Sequence, residues 1–572
     1  MSATLTEPAI GENDVADLPA GPPRGSPGGV SLWRTVGAPA VGRRVPGTAS
    51  VFVAGLIVGT VAGVISLSGG HQFDFGDTMA HLSIARRVLD SDSPGTSQLG
   101  AVWPPVPHLA LLPLVQSLWL WRTGIGACVL GVLCLAAAGA ALYRALARLN
   151  VSRLGRLTAL AVLWGNPAYL YVSTTASTEP VLIALILAAL AGLLGWATSG
   201  RELSGGELAV FAGLPAAAAV LTRFEGTALA LSGAGYVWVI ARQRGLPRSR
   251  ASILTACFIT PSVAAILGWL AFNVALFGDP FDFLRGPYSP AVANEPYRAL
   301  GMLSAEGNLG LSLDVYRAGV VGVLGSVTVL AALLAGVYLA WRWPADRRGL
   351  ALAVAGTPAA SVVLSLVAGH QFMLNEASLP PGLANTRLAL TALPWAALLI
   401  GAAAGLLGGG RVRTWASAAT VIGVIALLVV PLFGQRMVGV PGAGAGSAVL
   451  AEATAAAAAD ADRAAASRWL GENYDGGGLL IDETSIPSAP QIGIPLRDHV
   501  NRVAGARFAA ALTDPAGHAR WILTRDPDSR WTDPTRDQLA AALHQQPALL
   551  TPYRLAFTAG DYRVYRLQEV TS

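Results

Sequence analysis

The chain has 572 residues, 53% of them hydrophobic and only 13% charged, with a mean hydropathy of +0.52; this usage excludes an ordinary water-soluble globule and points to a polytopic membrane protein. The formal net charge of +5 does not indicate a nucleic-acid partner, because the basic residues, all 39 of them arginine, gather in short loops between apolar spans, where they set topology. Cys128, Cys134 and Cys257 all fall inside apolar stretches, which supports neither a disulfide framework nor a thiolate metal site.

Residues 1–48 are rich in Pro, Gly and Ser and contain no long apolar run, so they read as a disordered cytoplasmic tail. Apolar runs of the length a bilayer core demands then follow near 51–69, 123–147, 154–173, 178–197, 207–222, 224–242, 252–277, 316–342, 349–369, 386–408 and 413–434, eleven expected helices in a transmembrane domain over 49–436. One alternate set of connecting loops carries Arg148, Arg153 and Arg156, then Arg201, then Arg242, Arg244, Arg248 and Arg250, then Arg342, Arg347 and Arg348, then Arg411 and Arg413. That bias places these loops and the N-terminus inside the plasma membrane and the C-terminus outside. The tight turn at Arg223 and Glu225 is the point on which the downstream orientation depends.

Segments 70–122, 278–315 and 370–385 then face outward. Beyond the last span the hydropathy falls, and 437–572 reads as a small extracytoplasmic α/β domain. An alanine-rich helix over 451–466 leads to a helix at 462–473, strands at 478–482 and 520–525, a helix near 533–544 and a hairpin around 553–567 turning at Gly560-Asp561. The expected fold class is therefore mainly α: a transmembrane helical bundle followed by this small domain.

Polar chemistry collects on the outward side. In "GDTMAHLSIARR" (76–87) Asp77 and His81 are four residues apart and share a helix face. On spacing alone Asp77 reads equally as the N-cap of an amphipathic helix lying on the membrane and as a functional carboxylate. Arg223 and Arg387 each sit where an apolar helix meets the outer face. Charge there is costly, and the choice is between snorkelling to lipid headgroups and gripping a phosphate with the planar guanidinium fork. Glu179 opens a helix, where a carboxylate also favours the helix dipole, and Glu225 is placed to pair with Arg223. "WPPVPH" (103–108) is a proline-fixed bend, either structural or presenting Trp103 as a platform for a sugar or prenyl chain, with His108 beside it. Asp74, Asp77, Glu179 and His81 are suitable donors for Mg²⁺ or Mn²⁺, although their spacing follows no metal motif. No GxxxxGK[ST] loop occurs, so a nucleotide-sugar or ATP-driven step is not indicated.

Five segments occur in order: 76–115 (beginning "GDTMAHLSIARR"), "NPAYLYVSTTASTEPVLIALIL" (166–187), "LTRFEGTALAL" (221–231), "FNVALFGDPFDFLRGPYS" (272–289) and "ANTRLALTALPW" (384–395). Together, over roughly 50–435, the chain resembles the GT-C superfamily of polytopic glycosyltransferases, in particular the family 39 group with protein O-mannosyltransferases and lipid A aminoarabinose transferases. The resemblance implies transfer of a sugar from a polyprenyl-phosphate carrier, held in the lipid bilayer, to a cell-envelope acceptor at the outer face. It also implies an acidic base in the first external loop. Asp77 falls on that acid, Ala85-Arg86 falls on the Ala-Arg pair that follows it, and Thr78 stands where a second acid is usual, so that Asp74 is the nearest substitute. Glu179 is placed by the resemblance beside the acceptor or a divalent ion. For this chemistry Asp77 and Glu179 are the candidate catalytic residues, and Asp74, His81, Trp103, His108, Arg223, Glu225 and Arg387 the candidate substrate-binding set. A hydroxyl nucleophile needs a carboxylate to take its proton, and a departing phosphate needs fixed cations. The competing class is a secondary transporter or lipid flippase, which calls for inverted repeats and polar, broken helices at mid-membrane.

Overall fold

The computed structural model describes residues 44–568 apart from 101, 200–203, 287–288, 300, 302, 374–383, 408–418, 421, 425, 428–446 and 529–536. Most of the expected tail and most of the eleventh span, 413–434, lie outside the described residues. Every other expected span is helical. Among the described residues six helices are long and apolar enough to cross a membrane, and a bent pair makes a seventh.

Two departures from eleven unbroken spans have local causes. The expected span 316–342 is two helices, Leu309–Leu324 and Ser326–Arg342, bent by 110°; between them Gly325 adopts φ 85°, ψ 143°, a conformation closed to residues with a Cβ. The expected span 154–173 stops at Trp164 and restarts as Pro167–Val172. Asn166 caps the second piece by accepting from the Tyr169 N–H, and Pro167 takes its first turn, where a missing N–H costs nothing. The Arg223 turn is present, and the helices that flank it, Leu214–Val220 and Glu225–Gln243, pack on one another.

Glu179–Ala197 lies at the centre of the bundle, apolar and buried on all sides, as expected of a helix without a polar face. The outer helix α1 (Thr48–Gly69) buries only Val51, Gly55, Gly59, Gly63 and Ser66. A Cβ on Gly55 would meet the Ala136 Cα at 2.7 Å, and one on Gly59 would meet Val132 at 2.9 Å. This repeat of small residues every fourth position lets α1 press its backbone against Ile125–Arg148, the usual route to tight packing in lipid. Gly55→Leu is accordingly expected to cost about 1–3 kcal/mol by overpacking, read as a lowered thermal midpoint in detergent.

The C-terminal domain follows two helices, Ala448–Ala459 and Ala461–Asn473. Its five-stranded sheet has the order β2-β1-β3-β5-β4, with β1 at Leu479–Ile481, β2 at His499–Val500, β3 at Trp521–Arg525, β4 at Tyr553–Ala559 and β5 at Tyr562–Leu567. β1 is parallel to both neighbours and β3, β5 and β4 run antiparallel. β1, paired on both sides, is fully apolar and buried, the pattern of a strand covered on both faces. β2 spans two residues, too short to show a period, and was not expected. Asp90, just beyond α2 (Gly76–Arg87), accepts the Leu496 and Arg497 N–H groups, and Arg463 donates to the Met79 sulfur at 3.5 Å. These bonds seat the domain on α2 and the residues that follow it.

Candidate functional site

A cavity of about 620 Å³ lies where the ends of several helices meet, and Asp77, His81, Trp103, Glu179, Arg223, Glu225 and Arg387 all line it. Asp77 stands in the first turn of α2, Glu179 begins its helix, Arg223 lies in the turn between two helices, and Arg387 lies at the start of the apolar span Thr386–Leu407. Four separate parts of the chain thus bring charge to one end of the bundle.

Asp77 is not the N-cap that its spacing allowed. The cap is Phe75, without a side-chain bond, and the Asp77 Oδ2 instead receives the Arg387 Nη2 at 2.6 Å. The side chain remains 49% exposed toward the cavity, and among the described residues no hydrogen bond reaches its Oδ1. Burial by the surrounding walls pushes the carboxyl up, but Arg387, with His81 and Arg223 behind it, outweighs this and holds it below the ordinary aspartate value of 3.8. The group is therefore ionised at neutral pH. Next to it, the Thr78 hydroxyl is buried and donates to the Phe75 and Gln72 carbonyls at 2.7 and 3.1 Å. A second acid there would turn its oxygens toward two carbonyls with no proton to offer, which accounts for the departure from the usual acidic pair.

Arg387 also lies over the Phe75 ring, 4.7 Å from its centroid, and its buried Nε has no hydrogen-bond partner among the described residues. Arg223 bonds Glu225 at 3.0 Å, Glu179 at 3.2 Å and the Thr178 hydroxyl at 3.1 Å, so the expected Arg223–Glu225 pair forms and extends to Glu179. The second oxygen of Glu179, Oε2, is buried and unpartnered among the described residues. Neither arginine snorkels outward; Arg387 is buried and Arg223 partly buried by the cavity walls.

Asp74 and His108 do not line the cavity. Asp74 turns to His71 and Tyr171, at 3.0 and 3.2 Å, and burial raises its pKa against their opposing effect, so it does not supply the missing second acid. His108 is buried behind His81, its Nε2 2.9 Å from the His81 Nδ1. Burial pushes His81 down to about 4 and His108 well below its usual value, leaving both rings neutral at pH 7. The buried His108 Nδ1 has no partner among the described residues. A bare lone pair there is cheaper than an orphaned N–H, so the tautomer assigned by hydrogen-bond accounting has His108 donating from Nε2 to His81 Nδ1. His81 then carries its proton on Nε2 and is a neutral donor. His108→Gln, which keeps an amide donor, is expected to retain activity, whereas His108→Leu loses about tenfold, the worth of one hydrogen bond near 1.4 kcal/mol; steady-state rates compare the two. Trp103 lies 4.3 Å from His81, ring centre to ring centre.

Sequence reasoning missed Glu452. Its carboxylate accepts from the Asn385 N–H, the Thr386 N–H and the Thr386 hydroxyl at 2.8, 2.9 and 2.6 Å, fixing the residues just before Arg387. The signal was a lone acid in the alanine-rich helix "AVLAEATAAAAA", buried where a solvated helix would leave it exposed.

The donors expected for Mg²⁺ or Mn²⁺ each have another partner. Asp77 and Glu179 each already hold a guanidinium, and among the described residues no three His, Cys, Asp or Glu side chains gather as a ligand set.

No protein-family model matches the sequence, and no curated protein matches it. Among solved structures the chain is similar to ArnT from Cupriavidus metallidurans, crystallised bound to undecaprenyl phosphate, with 14% identity and a TM-score of 0.51 over 91% of this chain and 98% of that one. The shared span takes in the bundle and reaches into the C-terminal domain, beyond the 50–435 of the sequence resemblance. The chain has a polytopic helical fold with a small C-terminal domain, similar to that of this solved structure.

Proposed function

We propose that the protein is an integral-membrane glycosyltransferase, moving a sugar from a polyprenyl-phosphate donor to a hydroxyl of a cell-envelope acceptor at the outer face of the plasma membrane. The observation that carries this reading is an ionised, cavity-facing Asp77 bonded to Arg387 at 2.6 Å in the cavity that also holds Arg223. A fold shared with a protein crystallised with undecaprenyl phosphate agrees with it.

The chemistry follows from the groups present. The acceptor hydroxyl gives its proton to Asp77 as its oxygen attacks C1 of the sugar, and the C1–O bond to phosphate breaks. This single displacement inverts C1 and releases polyprenyl phosphate with one more negative charge. Protonation removes the anion to which Arg387 was bound at the moment the phosphate gains charge. Arg387 then turns its donors, Nε among them, to the leaving group, with Arg223 as the second cation. Fixed cations in a site of low polarity stabilise such charge more than water does. Glu179 and Glu225 hold Arg223 in place, and neutral His81 donates to a sugar or phosphate oxygen.

The test is purified protein in lipid, given radiolabelled polyprenyl-phosphate mannose or arabinose with delipidated cell-envelope material. Label is expected in the acceptor fraction. Uptake into sealed vesicles with no transfer would favour a transporter instead. Since arginines already match the carboxylates, EDTA is expected to leave the rate unchanged, and a loss restored by Mg²⁺ or Mn²⁺ would return an ion to the site. A reporter fused after Ser572 is expected to read as extracytoplasmic.

A further inference from the structure

A second cavity, of about 510 Å³, lies on the other side of α2, closed by the C-terminal domain. The helix is divided between the two spaces. Asp77 and His81 line the first, whereas Ala80, Ser83, Ile84 and Arg87 line the second; among the described residues only Val102 and Trp103 line both. The far wall comes from Glu483, Thr484, Asn501 and Arg502, and the lower edge reaches Phe277, the last residue of the Arg248–Phe277 span. The C-terminal domain thus brings a new surface to within one helix width of the proposed base.

The chemistry of these walls selects a class of occupant. Among the described residues Arg87, Arg502, Asp282 and Glu483 are the charged ones lining this cavity, two of each sign, so together they carry no net charge to attract an anion. Three of the four are held in place: Arg87 donates to the Gln98 carbonyl at 2.7 Å, Arg502 pairs with the buried Asp482 at 2.6 Å, and Glu483 meets His499 at 2.6 Å. Most of the wall is apolar, with Met79, Ile84, Leu99, Phe277, Val503 and the indole of Trp103, and hydroxyl and amide groups from Ser83, Ser97, Thr484 and Asn501 interrupt it. A lipid chain would leave the fixed polar groups unmatched, at a cost for each. A neutral sugar suits both kinds of wall, with C–H faces against ring and aliphatic carbon and hydroxyl edges on the polar groups. The volume lies within the range of small-molecule sites.

We propose that this second cavity binds the terminal residues of a neutral glycan acceptor and presents a hydroxyl past Trp103 to Asp77. The inference rests on the transferase reading above and names the acceptor class for it. Donor and acceptor then approach the base from opposite sides of α2, which keeps the anionic lipid phosphate on the arginine side and the glycan on the side of the C-terminal domain.

Thr484→Trp and Ser97→Trp fill the cavity from opposite walls at exposed positions outside the Asp77 cavity. Each variant is assayed for transfer from radiolabelled polyprenyl-phosphate sugar to neutral cell-envelope polysaccharide, for binding of undecaprenyl phosphate alone, and for direct binding of neutral oligosaccharides cut from that polysaccharide. The expected result is an acceptor KM raised about tenfold or more, with donor KM and undecaprenyl-phosphate binding unchanged. An unchanged acceptor KM in both variants, a rise in donor KM instead, or transfer confined to anionic or lipid acceptors overturns the assignment. Oligosaccharide binding that weakens in the variants while the wild type transfers nothing would leave the cavity standing and overturn the transferase reading.

Discussion

Asp77→Asn is expected to lower sugar transfer by about 10²–10⁴-fold, the usual contribution of a positioned general base, while binding of undecaprenyl phosphate persists. Asparagine keeps the size of the side chain and an oxygen for Arg387 but has no affinity for the hydroxyl proton. Because the side chain is 49% exposed toward the cavity, the fold does not depend on its packing. Glu179→Gln is the control, since Glu179 is the other carboxylate with an unpartnered oxygen on the cavity. Glu179 is held by Arg223 at 3.2 Å, and its loss is expected to raise donor KM more than it lowers the turnover rate. If the effects are reversed, with Glu179→Gln silencing turnover and Asp77→Asn sparing it, the base is Glu179.

Arg387→Gln is expected to have the next largest effect, through two separable consequences. Loss of a cation on the developing phosphate charge lowers the rate by about 10²–10³-fold, as for removal of one donor from an oxyanion site. It also changes the pH profile. Asp77 now titrates below 3.8 because Arg387 outweighs burial, so in the wild type the acidic limb, where activity falls as the base is protonated, lies below about pH 4. Without Arg387 the burial effect prevails and the Asp77 pKa rises. Residual activity of the variant should therefore fall away at higher pH than that of the wild type. A lower rate with an unmoved acidic limb would show that Arg387 and the base are not coupled.

Much of the architecture was legible because lipid leaves a chain few choices. Every backbone group inside a bilayer must be bonded within the protein, so the long apolar runs of 51–69, 123–147 and 178–197 had to be helices, and they are. Local chemistry decided the Gly560-Asp561 turn of the terminal hairpin and the Arg223–Glu225 pair, whose partners are two residues apart. The Asn166-Pro167 break was also written in adjacent residues and could have been taken from them. Composition and the one-sided placement of charge pointed to chemistry at one membrane face.

What only the tertiary structure decided is how distant segments meet. Arg387 reaches Asp77 across 310 positions, and the crossing of helices, which no short window of sequence encodes, is what brings them together. The same holds for His108 behind His81, for Glu452 fixing the start of the Arg387 helix, and for the C-terminal domain closing a second cavity on α2. Asp74 shows the converse. It lies three residues from Asp77, near enough in sequence to stand in for the second acid, yet the short helical turn His71–Phe73 and the fixed Tyr171 hydroxyl draw it away. Residue types and their spacing determined which groups were available to act, and the packing of helices in three dimensions selected which of them share a cavity.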